Sequence, residues 1–447
     1  MMLRGEAGMF RGRVDWAMLG SLLGLMCIGS IAILSAASLL PIYGQVLQRH
    51  FLAMAGGMLL FLFGLGFNYQ IYQDQSKALY AVTIVMMVAV LLVGDLQRGQ
   101  RAWVHLAFFS FQPSELARLF TVLVLASFLD KRADRMQRLS TVLGAFALVA
   151  PVMALILKEP DFSSTLTFFP MLLAMLFCAG ANLTHLAAMA GYGAVTITLP
   201  LVWTGLAVHP RWVSASPVAG LLMSIREFGL PLLLTVLAVF LAAYLFWKLL
   251  SAMRIQAPGL YFLAGAVILS AALVSAVLVN HQLKGYQRNR FVAFLVPEAD
   301  PQGAAYNVRQ AQVAIGSGGL WGKGIFSGTQ SRLGFLPERH TDFIFAVVGE
   351  EMGFLGSMAV LGLYMVLLWR IVHAARLSRD RYGSLVCAGL ASIYGFYLLL
   401  NVGMCLGLAP VAGIQLPLVS YGGSNLAITL LAMGIVANIY SKRYAFY

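Results

Sequence analysis

Residues Trp16–Leu40 read WAMLGSLLGLMCIGSIAILSAASLL, 25 positions without one charged side chain. Coiled as an α-helix such a run exceeds the roughly 30 Å thickness of a bilayer's hydrocarbon core. Arg4, Arg11 and Arg13 precede it, yet the run is too long for the apolar region of a cleavable signal peptide. Runs of the same character recur along the chain, twelve in all. They centre on Trp16–Leu40, Phe51–Phe67, Ala78–Val93, Leu116–Leu129, Val142–Leu157, Ser163–Gly180, Leu186–Leu206, Phe228–Trp247, Leu260–Val279, Phe343–Trp369, Leu385–Leu408 and Ser424–Tyr440. With 60% hydrophobic and 11% charged residues over 447 positions, a soluble globular protein is excluded. The expected fold is all-α and polytopic, with about twelve transmembrane helices. No soluble domain or low-complexity tail interrupts it.

Charge gives the orientation. The net charge of +13 fits contact with anionic head groups rather than nucleic acid. Lys131, Arg132, Arg135 and Arg138 follow the fourth run; Arg370, Arg376, Arg379 and Arg381 follow the tenth; Lys442 and Arg443 follow the last. An alternating count with the N-terminus inside puts all three clusters on the cytoplasmic side, as the positive-inside rule requires. The same count sends Gln97–Pro113, Lys158–Asp161, Tyr286–Thr341 and Pro410–Tyr421 to the outer face. The four cysteines, Cys27, Cys178, Cys387 and Cys405, fall within apolar runs and share no CxxC spacing. They read as small packing residues, not as a zinc site or a disulfide framework.

The stretch Tyr286–Gly356 reads YQRNRFVAFLVPEADPQGAAYNVRQAQVAIGSGGLWGKGIFSGTQSRLGFLPERHTDFIFAVVGEEMGFLG. Its polarity and glycine content predict a long irregular stretch, which must lie outside the hydrocarbon or line a protein-enclosed cavity. The whole chain holds 17 acidic residues, so each one beside the membrane counts. Glu115 and Arg118, three apart at the start of the fourth run, face each other on a helix; they form either an internal ion pair or the polar floor of a cavity. Asp161 follows a proline and is placed to cap the sixth run. Glu350 and Glu351 are neighbours, so at least one of them must face protein. Asp300, before Pro301, is either a turn former or a functional carboxylate. The run AIGSGGLWGKG resembles a phosphate-cradling loop only loosely, because the GxxxxGK[ST] spacing is absent. Arg101, Arg288, Arg290, Lys323, Arg332 and Arg339 supply outer-face cations, several suited to forked pairing with diphosphate oxygens.

These segments together resemble the SEDS family (shape, elongation, division and sporulation), and its RodA branch more than its FtsW branch. The shared signatures are GQRAW at Gly99–Trp103, QPSELAR at Gln112–Arg118, PDF at Pro160–Phe162, the YQRNR…DP…AIGSGGLWGKG block, GTQSRL beside FLPERHTDFIF, and LPLVSYGGS at Leu416–Ser424. The resemblance implies a peptidoglycan glycosyltransferase that polymerises lipid II in cell-wall elongation, on the outer face of the bacterial plasma (inner) membrane. Both termini are then cytoplasmic. It implies a class B penicillin-binding protein and other elongation-complex membrane proteins as partners. By motif position Asp300 is the essential carboxylate, Glu115, Arg118 and Asp161 belong to the polar cavity, and Arg101 and Trp103 to the outer-loop motif. Lys323, Arg332, Glu338 and His340 complete the expected substrate-binding set. Three departures stand out: Arg118 where Lys is usual, PDFSST for PDLGT, and GAAY for GAGY.

The implied chemistry is sugar transfer with inversion, an acceptor hydroxyl displacing undecaprenyl diphosphate. Asp300 would take the hydroxyl's proton or ligate a metal. An oxygen-only ligand pattern suits a divalent cation, magnesium or manganese, whose ligands the sequence does not name. Rival readings are a flippase for lipid-linked oligosaccharides and a non-catalytic scaffold, but no convincing internal repeat marks a transporter. The chain is expected to form a single membrane domain over 1–447. Within it, 209–282 would be an inserted helical hairpin, built from Phe228–Trp247 and Leu260–Val279, and 283–342 the extracytoplasmic catalytic loop.

Overall fold

Lipid offers backbone N–H and C=O groups no partner, so each apolar run must close its hydrogen bonds within itself as a helix. The computed structural model, which describes residues 14–97, 100–106, 109–159, 161–255, 258–299 and 303–444, shows that outcome. In chain order the helices begin with α1 (Trp16–Ala37), α2 (Tyr43–Gly66), the short α3 (Gln70–Asp74) and α4 (Ser76–Val93). A small antiparallel sheet follows, β1 (Asp95–Gln97), β2 (Gln100–Leu106) and β3 (Phe109–Phe111). Next come α5 (Pro113–Asp130), α6 (Leu139–Lys158), α7 (Phe162–Leu166), α8 (Phe168–Cys178) and α9 (Leu183–Val208). The chain continues through α10 (Pro210–Ala215), α11 (Pro217–Ser224), α12 (Leu230–Ala252), α13 (Gly259–Gln282), α14 (Gly285–Leu295) and α15 (Ala304–Ser317). It closes with α16 (Thr329–Arg332), α17 (Ile344–Glu351), α18 (Gly353–Leu377), α19 (Arg381–Cys405) and α20 (Gly423–Ser441).

Among the described residues, 10 helices are long and apolar enough to cross a membrane. All lie on expected runs, and the chain is a polytopic helical membrane protein. The expected count of twelve is not reached by this measure, for two physical reasons. α5 carries Glu115, Arg118 and Asp130, and the sixth run is divided at Thr167 into α7 and α8. The tenth run also differs from expectation. It is two helices, α17 and α18, separated at Met352–Gly353, where Gly353 takes a φ of +68°. A Cβ on Gly353 would lie 2.3 Å from the backbone nitrogen of Gly322, so the break lets a loop backbone press against the chain. The stretch 286–341 is not irregular throughout, because α14, α15 and α16 occupy much of it.

The chain divides into two compact units, 1–182 with 307–447, and 183–306. In the first, α20 packs along α2 at close range. A Cβ on Gly434 would fall 2.3 Å from the Phe61 carbonyl oxygen, and one on Gly64 2.8 Å from that of Leu431. Small residues at a crossing are what membrane helices use to bring backbones together. Asp15 caps α1 through the Met18 N–H at 3.0 Å and pairs with Arg370 at 2.7 Å, tying α1 to α18. In the second unit α9 packs on α13 around Trp203, Ile225, Leu232, Leu273, Ala276 and Val277. The indole of Trp203 donates to the Leu222 carbonyl at 2.7 Å. The two runs of the expected hairpin are helices α12 and α13, and α10 and α11 precede them. Only 6% of α12's apolar window is buried within the protein, as suits a helix facing lipid.

Candidate functional site

The first polar cluster grows from the start of α5. Pro113 stands at the helix's first position, where its missing N–H costs nothing. That places Glu115 and Arg118 on one face, one turn apart. Arg118 Nη2 lies 3.2 Å from Glu115 Oε1, with the side chains only 3% and 14% exposed. The same Nη2 is 3.5 Å from Ser164 Oγ, and Ser164 Oγ donates to Asp161 Oδ2 at 2.5 Å. Asp161 is the cap of α7, accepting from the Ser164 N–H at 3.0 Å, and Gln112 Nε2 donates to it at 3.3 Å. Asn425 Nδ2 reaches Glu115 Oε1 at 3.4 Å, and Arg118 sits over the Tyr397 ring at 5.1 Å. Glu115, Arg118 and Asp161 thus form one continuous chain of polar contacts.

Two donors of Arg118, Nε and Nη1, have no protein partner. The cavity at Glu115 and Arg118, walled by Leu390, Tyr394, Tyr397 and Ile428 among others, measures about 20 Å³. That is room for a single water and not for a sugar. The pair also fixes an expected result. Losing either partner alone strands a buried charge, at a cost on the order of 3–5 kcal/mol. In a double-mutant cycle of Glu115→Gln and Arg118→Met, followed by thermal unfolding in detergent, the double variant should lose far less than the sum. Additive losses would show that the two side chains do not interact.

Glu159, unmarked in the sequence reading, is the most deeply buried acid beside this cluster. It is 0% exposed, and neither carboxyl oxygen has a partner. Burial first, and the charge of Asp161 second, push its pKa up to about 8. It therefore holds a proton at neutral pH. The only sequence signal was its place just past an apolar run, in KEPDF. Because its folded pKa stands above the unfolded value, stability is fullest below about pH 4.5. It then falls by up to ~1.4 kcal/mol per pH unit as pH rises toward 8. Glu159→Gln removes that dependence: the variant should match the parent near pH 5 and melt higher at pH 8. Melting curves in detergent with identical pH profiles would refute it.

A second cluster is built on the end of α17. Glu350, 0% exposed, pairs with Lys323 Nζ at 2.9 Å. Its Oε1 also accepts the N–H groups of Thr329 and Gln330, both at 2.8 Å, and its Oε2 that of Ser331 at 2.9 Å. Lys323 Nζ donates to Thr329 Oγ1 as well, at 2.8 Å. Glu351 accepts from Ser35 Oγ at 2.5 Å and from the Phe326 N–H at 3.4 Å. The Gly-rich run spends its last two backbone donors within the protein. Lys323 N–H and Gly324 N–H are bonded to the carbonyls of Glu350 and Glu351, both at 3.0 Å. Its glycines serve close approach: a Cβ on Gly318 would meet the Gly349 oxygen at 1.9 Å.

The remaining expected residues are distributed as follows. Arg332 Nη1 donates to the Phe326 carbonyl, and Arg339 Nε to the Ala36 carbonyl at 2.7 Å, closing the end of α1. The Glu338 carbonyl accepts from Thr341, Asp342 and Phe343 N–H groups, opening the turn into α17, and Thr341 Oγ1 reaches its Oε2 at 3.2 Å. The His340 carbonyl accepts the Tyr421 N–H at 2.9 Å, fastening the PERHTD segment to LPLVSYGGS. Trp103 is half-buried on β2 opposite Asp95, and Arg101 lies on the same strand opposite Leu96. Asp300 lies outside the described residues. Among the described residues no group of three or more His, Cys, Asp or Glu side chains could hold a metal ion. Glu115 and Asp161 bond to Arg118, Ser164 and Gln112.

The FTSW_RODA_SPOVE family model, described as a cell cycle protein, matches residues 14–215 and 218–445. The chain belongs to that family. It is 32% identical over 433 residues to the peptidoglycan glycosyltransferase MrdB of Escherichia coli strain K12, covering 96% of this chain and 94% of that protein. To the peptidoglycan glycosyltransferase RodA of Treponema pallidum it is 31% identical over 437 residues, covering 96% and 98%. A probable peptidoglycan glycosyltransferase FtsW of Trichlorobacter lovleyi stands lower, at 27% over 433 residues, covering 95% and 92%. A solved peptidoglycan synthase complex, reported as coordinating polymerization and crosslinking, contains a chain of TM-score 0.65 and 27% identity, covering 96% of this chain and 98% of that one. The crystal structure of RodA from Thermus thermophilus matches with TM-score 0.60 at 24% identity, covering 97% and 98%, which speaks for the fold. The stretch 218–282, which carries none of the shared motifs, lies within the residues matched by the family model.

Proposed function

We propose that this chain is a peptidoglycan glycosyltransferase of the RodA type, polymerising lipid II on the outer face of the bacterial plasma membrane. The observation that carries the reading is the buried polar chain Glu115–Arg118–Ser164–Asp161 in α5 and α7. It stands in a chain that aligns over 96% of its length with relatives bearing that activity in their names. Ionisable groups held inside a membrane protein mark function by default, since their desolvation must be offset. The acceptor's sugar hydroxyl attacks the anomeric carbon of the lipid-linked donor, its proton passes to Asp300, and polyprenyl diphosphate leaves. A class B penicillin-binding protein cross-links the product, in keeping with the synthase complex that this chain resembles. A magnesium or manganese ion belongs to the proposal as a companion of the diphosphate. The test is polymerisation of purified lipid II, with and without the cognate penicillin-binding protein. Glycan strands support the reading; lipid II movement across vesicles without any polymer makes it a flippase.

The orientation has its own test. Lys248 lies near the end of α12 and Arg254 in its connection to α13, and the positive-inside rule turns that connection to the cytoplasm. A cysteine at Ser251, an exposed residue, should resist an impermeant thiol reagent applied from outside. Labelling there as efficient as at an outer-loop cysteine would reverse the topology.

A further inference from the structure

The unit 183–306 contains a cavity of about 220 Å³. Arg226, Arg288, Asn280 and Thr204 supply its polar wall, and Ala207, Val208 and Val292 its apolar one. The Nε atoms of both arginines are buried without a partner. Arg288 spends one donor on the Asn280 carbonyl, from Nη2 at 3.4 Å, and Thr204 gives its hydroxyl to the Pro200 carbonyl at 2.7 Å. Arginines placed only to neutralise helix C-termini would point their donors at carbonyls, yet here a donor on each guanidinium is left over. No acidic side chain lines the cavity among the described residues; Glu227, next to Arg226, is exposed.

The cations are held in place. Ile225, 3% exposed, anchors the segment before Arg226 in the unit's core. Phe228 stacks on His281 with ring centroids 5.7 Å apart. Gln287 closes the start of α14 by accepting the Lys284 N–H at 2.9 Å, which sets the helix turn that bears Arg288. Thr204 and Val208 lie in the last turns of α9 and Asn280 in the last turn of α13, so the cavity sits where two membrane-length helices end. That is the level of lipid head groups, and the charge count puts it on the outer side.

We propose that this cavity binds the diphosphate group of a polyprenyl-linked ligand. Two guanidinium groups offer forked donors to two phosphates, and the volume exceeds what one phosphate fills. The apolar wall receives the first carbons of the prenyl chain. The proposal rests on the glycosyltransferase reading for the ligand's biological source, donor lipid or released carrier, and on the cavity alone for its chemistry.

The test uses the full-length protein in detergent, with farnesyl diphosphate as probe and calorimetry as readout. The parent should bind it, inorganic pyrophosphate should compete only weakly, and farnesol and phosphatidylglycerol should not compete. Arg226→Gln and Arg288→Gln should each weaken binding on the order of 10–100-fold, the loss of a charge-assisted hydrogen bond, while Lys248→Gln leaves it unchanged. Ala207→Trp fills the cavity with both arginines intact and should abolish binding, so a folding defect in an arginine variant cannot decide the matter. Unchanged affinity in all three variants, or equal competition by phosphatidylglycerol, overturns the proposal. A parent that polymerises lipid II while these variants bind normally removes the cavity and keeps the enzyme. A parent that binds through the arginines yet makes no polymer keeps the cavity and removes the enzyme.

Discussion

Asp300→Asn should abolish glycan polymerisation by the purified protein while expression, membrane insertion and melting behaviour stay near those of the parent. A sugar hydroxyl is a weak nucleophile, and a carboxylate that takes its proton as the new bond forms contributes on the order of 10²–10⁴-fold. Asparagine keeps the size and one oxygen but takes up no proton. The stability half of the expectation follows from the sequence, where Asp300 lies between two prolines, Pro297 and Pro301, far from any apolar run of membrane length. Polymer from lipid II, resolved on a gel, is the measurement. Parent-level polymer from the Asn variant would remove Asp300 from the chemistry, and an unfolded variant would make it a structural residue.

Glu350→Ala should loosen the whole segment 323–331 and cost about 3–5 kcal/mol, since it strands a charge and several donors at once. The carboxylate takes three consecutive backbone N–H groups, Thr329, Gln330 and Ser331, together with the Lys323 ammonium. Glu351 cannot replace it, because its own oxygens already serve Ser35 and Phe326. Glu350→Gln keeps one acceptor oxygen and loses the charge, so it should fall between alanine and the parent. Limited proteolysis reports the segment and thermal unfolding the protein. Cleavage within 318–332 at the parent's rate in the alanine variant would show that Glu350 does not hold it.

The cell-wall reading was legible because its motifs are short and local. QPSELAR shows an acid and a base three apart behind a helix-starting proline, and α5 pairs them at 3.2 Å. Asp161 after a proline reads as a cap, and it caps α7. Glu159 was not legible. A lone Glu past an apolar run looks like any interfacial residue, and spacing does not show that it is fully buried in the fold, which raises its pKa. The role of Lys323 was equally hidden. Its acceptor, Glu350, lies 27 residues along the chain, so spacing could not distinguish an open cation from half of a buried pair.

The sequence by itself determined that this protein is a bundle of membrane helices and where its membrane-length helices lie. Hydrocarbon forces backbone groups to pair within the segment, which makes the length of an apolar run decisive. Counting basic residues in loops adds an expectation of which way the chain faces. Only the tertiary structure decided that the tenth run breaks at Gly353, that the Lys323 and Gly324 amides bond to carbonyls of α17, and that Arg226 and Arg288 line one cavity. Each depends on approach between residues far apart in the chain, where a clash of 2.3 Å or a donor without an acceptor exists only once the helices are packed.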